Sequence, residues 1–196
     1  MFLDEPPYDD QVRALYDADR ESDGYVNNLT RVWAWRPDVE QAATQARATV
    51  ARDSALTDAD RAVLVAATAA ARGDSYCSLA WGRRLASLTD PATAAGVLSG
   101  DTDGLDPRTR ALAAWASVVV RDPNATSGDD VAGLRAVGLG DREIFEATAF
   151  VALRLAFSTV NDALGARPDR QLADGVPAEV AAVVTYGRQA ADEPSA

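Results

Sequence analysis

The stretch GDSYCSLAW, residues 73–81, holds the single cysteine of the chain. Asp74 and Cys77 stand one helical turn apart behind a glycine. Gly73 is the residue type that ends one helix, and Asp74 the type that caps the next. Cys77 then falls at the third position of a new helix, where free N–H groups and the positive helix end favour a thiolate. Asp74 opposes this, because a nearby carboxylate disfavours the thiolate and a cap bond to the Cys77 N–H uses up part of the helix end. Two chemistries are open on these residues. Asp74 could be a general base with Tyr76 or Cys77 as acid or nucleophile, and Arg83 or Arg84 could hold a substrate carboxylate. Cys77 alone could cycle through a sulfenic acid resolved by an external thiol. The same residues also fit a plainer account. A lone cysteine between Tyr76 and Leu79 reads as a small buried hydrophobe, Asp74 as a cap, Trp81 as core, and Arg83 and Arg84 as a solvated face.

Absences narrow the chemistry further. The chain of 196 residues has no histidine, and all 19 basic residues are arginine. No imidazole can act as base or metal ligand, even across an interface between copies, and lysine Schiff-base chemistry is excluded. One cysteine excludes an intramolecular disulfide. A net charge of −11 argues against nucleic acid and anionic membrane as partners. MFLDEPPYDD has neither the basic nor the apolar segment of a signal peptide. The longest apolar runs, such as AVLVAATAAA at 62–71, are about half of the roughly 20 residues a membrane span needs. The expectation is a soluble cytoplasmic protein with no cofactor and no metal site. Asp9–Asp10 and Asp129–Asp130 read as solvated helix starts, and their spacing does not fit a calcium loop.

The elements that must position GDSYCSLAW are helical. The pattern predicts an all-α array of about eight to ten helices in one domain over 1–196, with an N-terminal arm to about 28 and a polar tail over about 191–196. The clearest helix is LTDADRAVLVAATAAARG (56–73), with Thr57 as cap, Asp60 three residues on, and Gly73 at its end. Helices follow over about 74–88, 88–100, 105–123, 127–138 and 140–165, and a last one over about 177–191. Asp106 and Pro107 mark the start of the fourth of these stretches after 56. Leu56, Arg61, Ala62, Ala67 and Arg72 recur at an offset of 49 as Leu105, Arg110, Ala111, Ala116 and Arg121. Two alanine-rich helices with similar starts account for this echo, and duplication is the other reading. Trp33 and Trp35 face different sides of a helix, one toward the core and one toward a subunit contact. Arg154 lies in the apolar middle of the 140–165 helix. It must snorkel to an edge or pair across an interface.

LTDADRA, Gly73 and DSYCSLAW together resemble the core of the alkylhydroperoxidase D-like family, which includes the carboxymuconolactone decarboxylases. That family carries L-T-x-x-x-R-E, a glycine, and C-x-x-C-x-x-x-H, and this sequence aligns without a gap. LYDADR, NLTRVWAWRPD, GLDPRTRALAAWA, LGDREIFEATAFVALRLAF and NDALGARPD resemble the flanks of its peroxidase-related branch, so the likeness spans roughly residues 5–169. The departures fall on the chemistry. The first cysteine position holds Asp74, the second Cys77, the histidine position Trp81, and the glutamate position Ala62. In the family's peroxidases, glutamate and histidine relay a proton while the cysteine pair cycles through a disulfide. The resemblance therefore implies a homo-oligomeric, all-α protein of antioxidant ancestry in which that cycle is lost. The remnant pocket, around Ala62, Tyr76 and Trp81, would then bind a small molecule. An active enzyme of changed chemistry, or a one-cysteine peroxidase using Cys77 with Asp74, is the alternative.

Overall fold

The computed structural model describes residues 1–195. Their helices are α1 (Asp10–Asp23), α2 (Asn28–Trp33), α3 (Pro37–Ala51), α4 (Asp58–Arg72), α5 (Ser75–Leu88), α6 (Pro91–Ser99), α7 (Pro107–Arg121), α8 (Gly128–Ala136), α9 (Asp141–Ala163), α10 (Arg170–Asp174) and α11 (Ala178–Val183), with a 3-10 turn at Pro123–Ala125. There is no strand among the described residues. None of their helices is long and apolar enough to cross a membrane.

Helix α4 is the axis of the molecule. Its positions from Ala62 to Ala69 are all buried, and it packs against α5, α6, α7 and α9. Small alanines let those neighbours approach, while Val63, Leu64 and Val65 fill the space between them. The start of α4 is fixed twice. Thr57 and Asp60 exchange side-chain-to-backbone bonds as a capping box. Arg108 of α7 then grips the same Asp60 with Nε and Nη2 at 2.9 and 3.0 Å. Its Nη1 donates to the carbonyl of Val137 at the end of α8. One guanidinium thus ties three helix ends. The echo at an offset of 49 has a local counterpart, since Arg61 donates to the Leu56 carbonyl and Arg110 to the Leu105 carbonyl.

The expected helices through 163 are present within a few residues of their sequence bounds. The last one is not. In place of a helix over 177–191 the chain forms only α11 and then runs as an irregular strap from Val184. Valine and threonine at 183–185 have poor helix propensity, and Gly187 takes a left-handed φ of 72°. A Cβ at Gly187 would lie 2.6 Å from the Gly73 carbonyl and 2.8 Å from the Ser75 nitrogen. The strap therefore rests on the α4–α5 joint itself, a contact that a continuing helix could not make. The polar end of the chain is bound too, with Ser195 and Gln171 exchanging a pair of hydrogen bonds.

Asp60 is buried, and although burial opposes its ionisation, the bonds from Arg108 and Thr57 hold its carboxyl below the usual aspartate value. Replacing it leaves the Arg108 guanidinium without its partner. Asp60→Ala is expected to lower stability by about 2–3 kcal/mol and the melting temperature by about 5–10 °C. Thermal unfolding followed by circular dichroism measures this.

Candidate functional site

The turn between α4 and α5 is built as its residue types require. Gly73 takes φ 75°, a left-handed conformation that reverses the chain at little cost only for glycine. Asp74 follows as the cap of α5, its Oδ1 accepting the Cys77 N–H at 2.9 Å. The strap seals the joint from above. Ser75 donates through its hydroxyl to the Arg188 carbonyl at 2.6 Å, and Tyr186 to the Ser78 hydroxyl at 3.0 Å. Asp74 is left with no exposed surface, and its Oδ2 has no hydrogen-bond partner among the described residues.

Cys77 is 2% exposed and packs with Trp33, Ala69 and Phe157. Ser158 Oγ and Arg154 Nη2 approach its sulfur at 3.6 and 3.8 Å. Burial, and after it the charge of Asp74, pushes the thiol up to about 12, against the opposing pull of Arg154 and Ser158. The helix end is occupied by the cap, so the N-terminal position does not deliver a thiolate.

Tyr76, one residue earlier on the helix, turns to a different cluster, with Val32, Leu79, Ala166 and Leu172. Its hydroxyl donates to Asp169, which also accepts from the Asn28 N–H at 2.9 Å and the Ser195 hydroxyl at 2.6 Å. Burial and then Asp169 raise this phenol well above its ordinary value. Ala62 is fully buried in the main core. Of the three residues expected around a pocket, Trp81 alone lines the cleft beside the site. A buried phenol needs a hydrogen-bond partner, and Asp169 supplies it on the far side of α5. Trp33 is also core, stacked on Phe157 with centroids 5.1 Å apart, whereas Trp35 is 43% exposed.

The cleft has a volume of about 330 Å³ and lies between α3, α4, α5 and α9. Arg47, Arg61, Arg84 and Arg154 line it with Trp81 and Phe150, and Asp58 is its single acidic residue. Arg84, expected on a solvated face, stands at its mouth 3.8 Å from Asp58. Arg83 lines a separate depression beside Asp174 and Pro177. Arg154 neither snorkels into solvent nor forms an ion pair among the described residues: it is 7% exposed, and its guanidinium carbon lies 5.0 Å from the ring centroids of both Trp81 and Phe157. Arg47 and Arg61 were not singled out as site residues, although Arg61 is the arginine of the LTDADR motif. Arg47 belongs to α3, which has no buried residue, and no sequence signal marks it. Among the described residues no group of three or more histidine, cysteine or acidic side chains is placed to hold a metal ion.

Asp162, near the end of α9, faces the same joint from below. Burial first, then the charge of Asp74, raises its carboxyl to about 6, with Arg72 and Arg188 opposing.

No protein-family model and no curated protein matches the chain. Solved structures do. An alkylhydroperoxidase AhpD core structure, an uncharacterised peroxidase-related protein from Ralstonia eutropha, is similar at 25% identity with a TM-score of 0.78, over 87% of this chain and 93% of that one. An uncharacterised peroxidase-related protein from Silicibacter sp. has the same fold at 21% identity, TM-score 0.78, over 87% and 93%. The debrominase Bmp8, in a complex with 2,3,4-tribromopyrrole, shares the fold at 14% identity, TM-score 0.69, over 88% and 95%.

The raised value of Asp162 carries a sign. A carboxyl that titrates near 6 when folded, and near 3.9 when unfolded, favours the fold while neutral. That contribution is complete at acid pH and is lost as pH rises through about 6. Asp162→Asn should therefore raise the melting temperature at neutral pH by the equivalent of about 1 kcal/mol, allowing for its partial exposure. The gain should vanish toward about pH 4. Melting curves of both proteins across this range measure the difference.

Proposed function

We propose, from the likeness to an alkylhydroperoxidase AhpD core structure, that the chain does not run a two-cysteine peroxidase cycle and instead binds a small molecule in the cleft beside Trp81 and Arg154. The observation that carries this is the state of Cys77. It is 2% exposed, its thiol is pushed up to about 12, and the position that should hold its disulfide partner holds the helix cap Asp74. A thiol needs both thiolate character and access to attack a peroxide. Without a second cysteine the sulfenic acid has no intramolecular resolving thiol. Trp81 and Ala62 stand where the resemblance places the proton-relay residues, and neither can move a proton.

The burial of Asp74 also weighs against an enzyme of changed chemistry that uses it as general base, since a base must reach its substrate. A ligand-binding role is supported by the cleft, whose Trp81 and Phe150 offer apolar faces next to charged groups. This combination is typical of small-molecule sites. That a debrominase of the same fold has been seen with 2,3,4-tribromopyrrole is in keeping with a family core that accommodates small organic compounds.

Turnover of an organic hydroperoxide, with a dithiol or a lipoyl-type compound as reductant, tests the reading. The expected result is no turnover above the protein-free rate, with Cys77 unreactive toward a thiol reagent until the protein is unfolded. Robust turnover that Cys77→Ser abolishes would overturn it.

A further inference from the structure

Arg154 is the one arginine of the cleft without an ion pair among the described residues. It is 7% exposed. Its Nε has no hydrogen-bond partner among the described residues, and its Nη2 makes a weak contact to the Cys77 sulfur at 3.8 Å. Two aromatic walls, Trp81 and Phe157, hold it at 5.0 Å. A cation–aromatic contact offsets less than the cost of taking a charge out of water. Aromatic faces also position a guanidinium without neutralising it. The chain has 30 acidic residues, yet none is placed against this cation.

A second guanidinium reinforces the first. The guanidinium carbon of Arg47 lies 4.6 Å from the Phe157 ring centroid, and Arg47 forms a long ion pair with Glu40 at 3.9 Å. Burial, and then the charge of Arg154, lowers its hold on its proton, the mark of two cations facing each other. At the mouth, Arg61 binds Asp58 at 2.5 Å and Arg84 lies 3.8 Å from the same carboxylate. The one acid of the cleft is thereby occupied by the outer pair, Arg47 has a long ion pair to Glu40, and Arg154 has none among the described residues.

We infer that the cleft between α3, α5 and α9 is a binding site for a small organic anion, a carboxylate with a flat apolar body, whose charged group meets Arg154 and Arg47 and whose body lies along Trp81 and Phe150. This rests on the small-molecule reading of the site and names the class of its ligand. The volume of about 330 Å³ is at the lower end of ligand pockets, which run from about 300 Å³ upward, so a single ring with one carboxylate fills it. The fork of a guanidinium matches a carboxylate edge. The missing partner of Nε is supplied by the ligand.

Benzoate and its neutral analogue benzamide are the probes, titrated at constant ionic strength with calorimetry and tryptophan fluorescence as readouts, and with inorganic phosphate as a third arm. Benzoate is expected to bind saturably, about tenfold or more tighter than benzamide, and to be displaced weakly or not at all by phosphate. Arg154→Met should remove the preference for benzoate, while the melting temperature of the ligand-free protein holds or rises, since an uncompensated buried charge is gone. A purely structural Arg154 would instead lower it. Should Arg154→Met fail to fold, Arg47→Gln, at the more open wall, is expected to weaken benzoate and leave benzamide unchanged. Equal binding of benzoate and benzamide, or benzoate binding that neither variant changes, overturns the anion assignment and leaves the small-molecule reading standing. Phosphate binding more tightly than benzoate also overturns it. Failure of both organic probes at millimolar concentration overturns the assignment, whereas hydroperoxide turnover is the separate result that removes the reading beneath it.

Discussion

A buried guanidinium without a counter-charge is the constraint around which this molecule is arranged. Arg154 projects from the middle of the longest helix into the junction of α3, α5 and α9, and everything that touches it does so without neutralising it. Trp81 and Phe157 provide faces, Cys77 provides a polarisable sulfur at 3.8 Å, and Arg47 adds a like charge rather than an opposite one. An arrangement of this kind is unfavourable in an empty site, because two cations repel and neither is fully hydrated. Proteins keep such arrangements where a ligand supplies the missing sign. Of the four arginines of the cleft, Arg61 and Arg84 share Asp58 and Arg47 has Glu40 at 3.9 Å, while Arg154 has no ion pair among the described residues.

The α4–α5 joint sets where Cys77 and Trp81 lie relative to that charge. Gly73 reverses the chain, Asp74 caps the new helix, and the strap from Val184 presses on both through Gly187. With the first turn of α5 pinned in this way, Cys77 and Trp81, four residues apart, share one face of the helix and look toward Arg154. Tyr76 looks the other way, to Asp169. The same contacts bury the thiol: the cap accepts the Cys77 N–H, and burial with the charge of Asp74 pushes the thiol up to about 12. The position and the burial of Cys77 thus come from one set of contacts. The fold is that of the peroxidase-related structures it resembles, in a chain with one cysteine and no histidine.

Much of this was legible in the chain before the coordinates. Helix ends marked by local chemistry, Thr57 with Asp60, Gly73 with Asp74, and Asp106 with Pro107, lie where their residue types put them, because a cap is decided within four residues. The all-α class and the family likeness rest on such local signals repeated in order. The C-terminal helix did not form as its alanines suggest. Gly187 is there to approach Gly73 and Ser75, a contact about 113 positions distant along the chain as measured by Ser75 to Arg188, and no local pattern encodes it. The destination of Tyr76 was hidden for the same reason, since Asp169 is brought to it by tertiary packing. Arg154 stood out from the sequence as a charge in an apolar helix, but its partners did not, because Trp81, Phe157 and Arg47 come from three different helices. A site made of arginines on separate elements leaves no motif.

The most direct measurement is of Arg154 itself. Its Nε–H group has no partner among the described residues, so its nitrogen-bound proton can be followed by NMR while benzoate is added. The expected result is a saturable downfield shift and slowed exchange of that one resonance, tracking the binding isotherm and absent with benzamide. An Arg154 resonance that stays fixed while the solvent-exposed arginines respond to added anion would contradict the assignment of this cleft as an anion site.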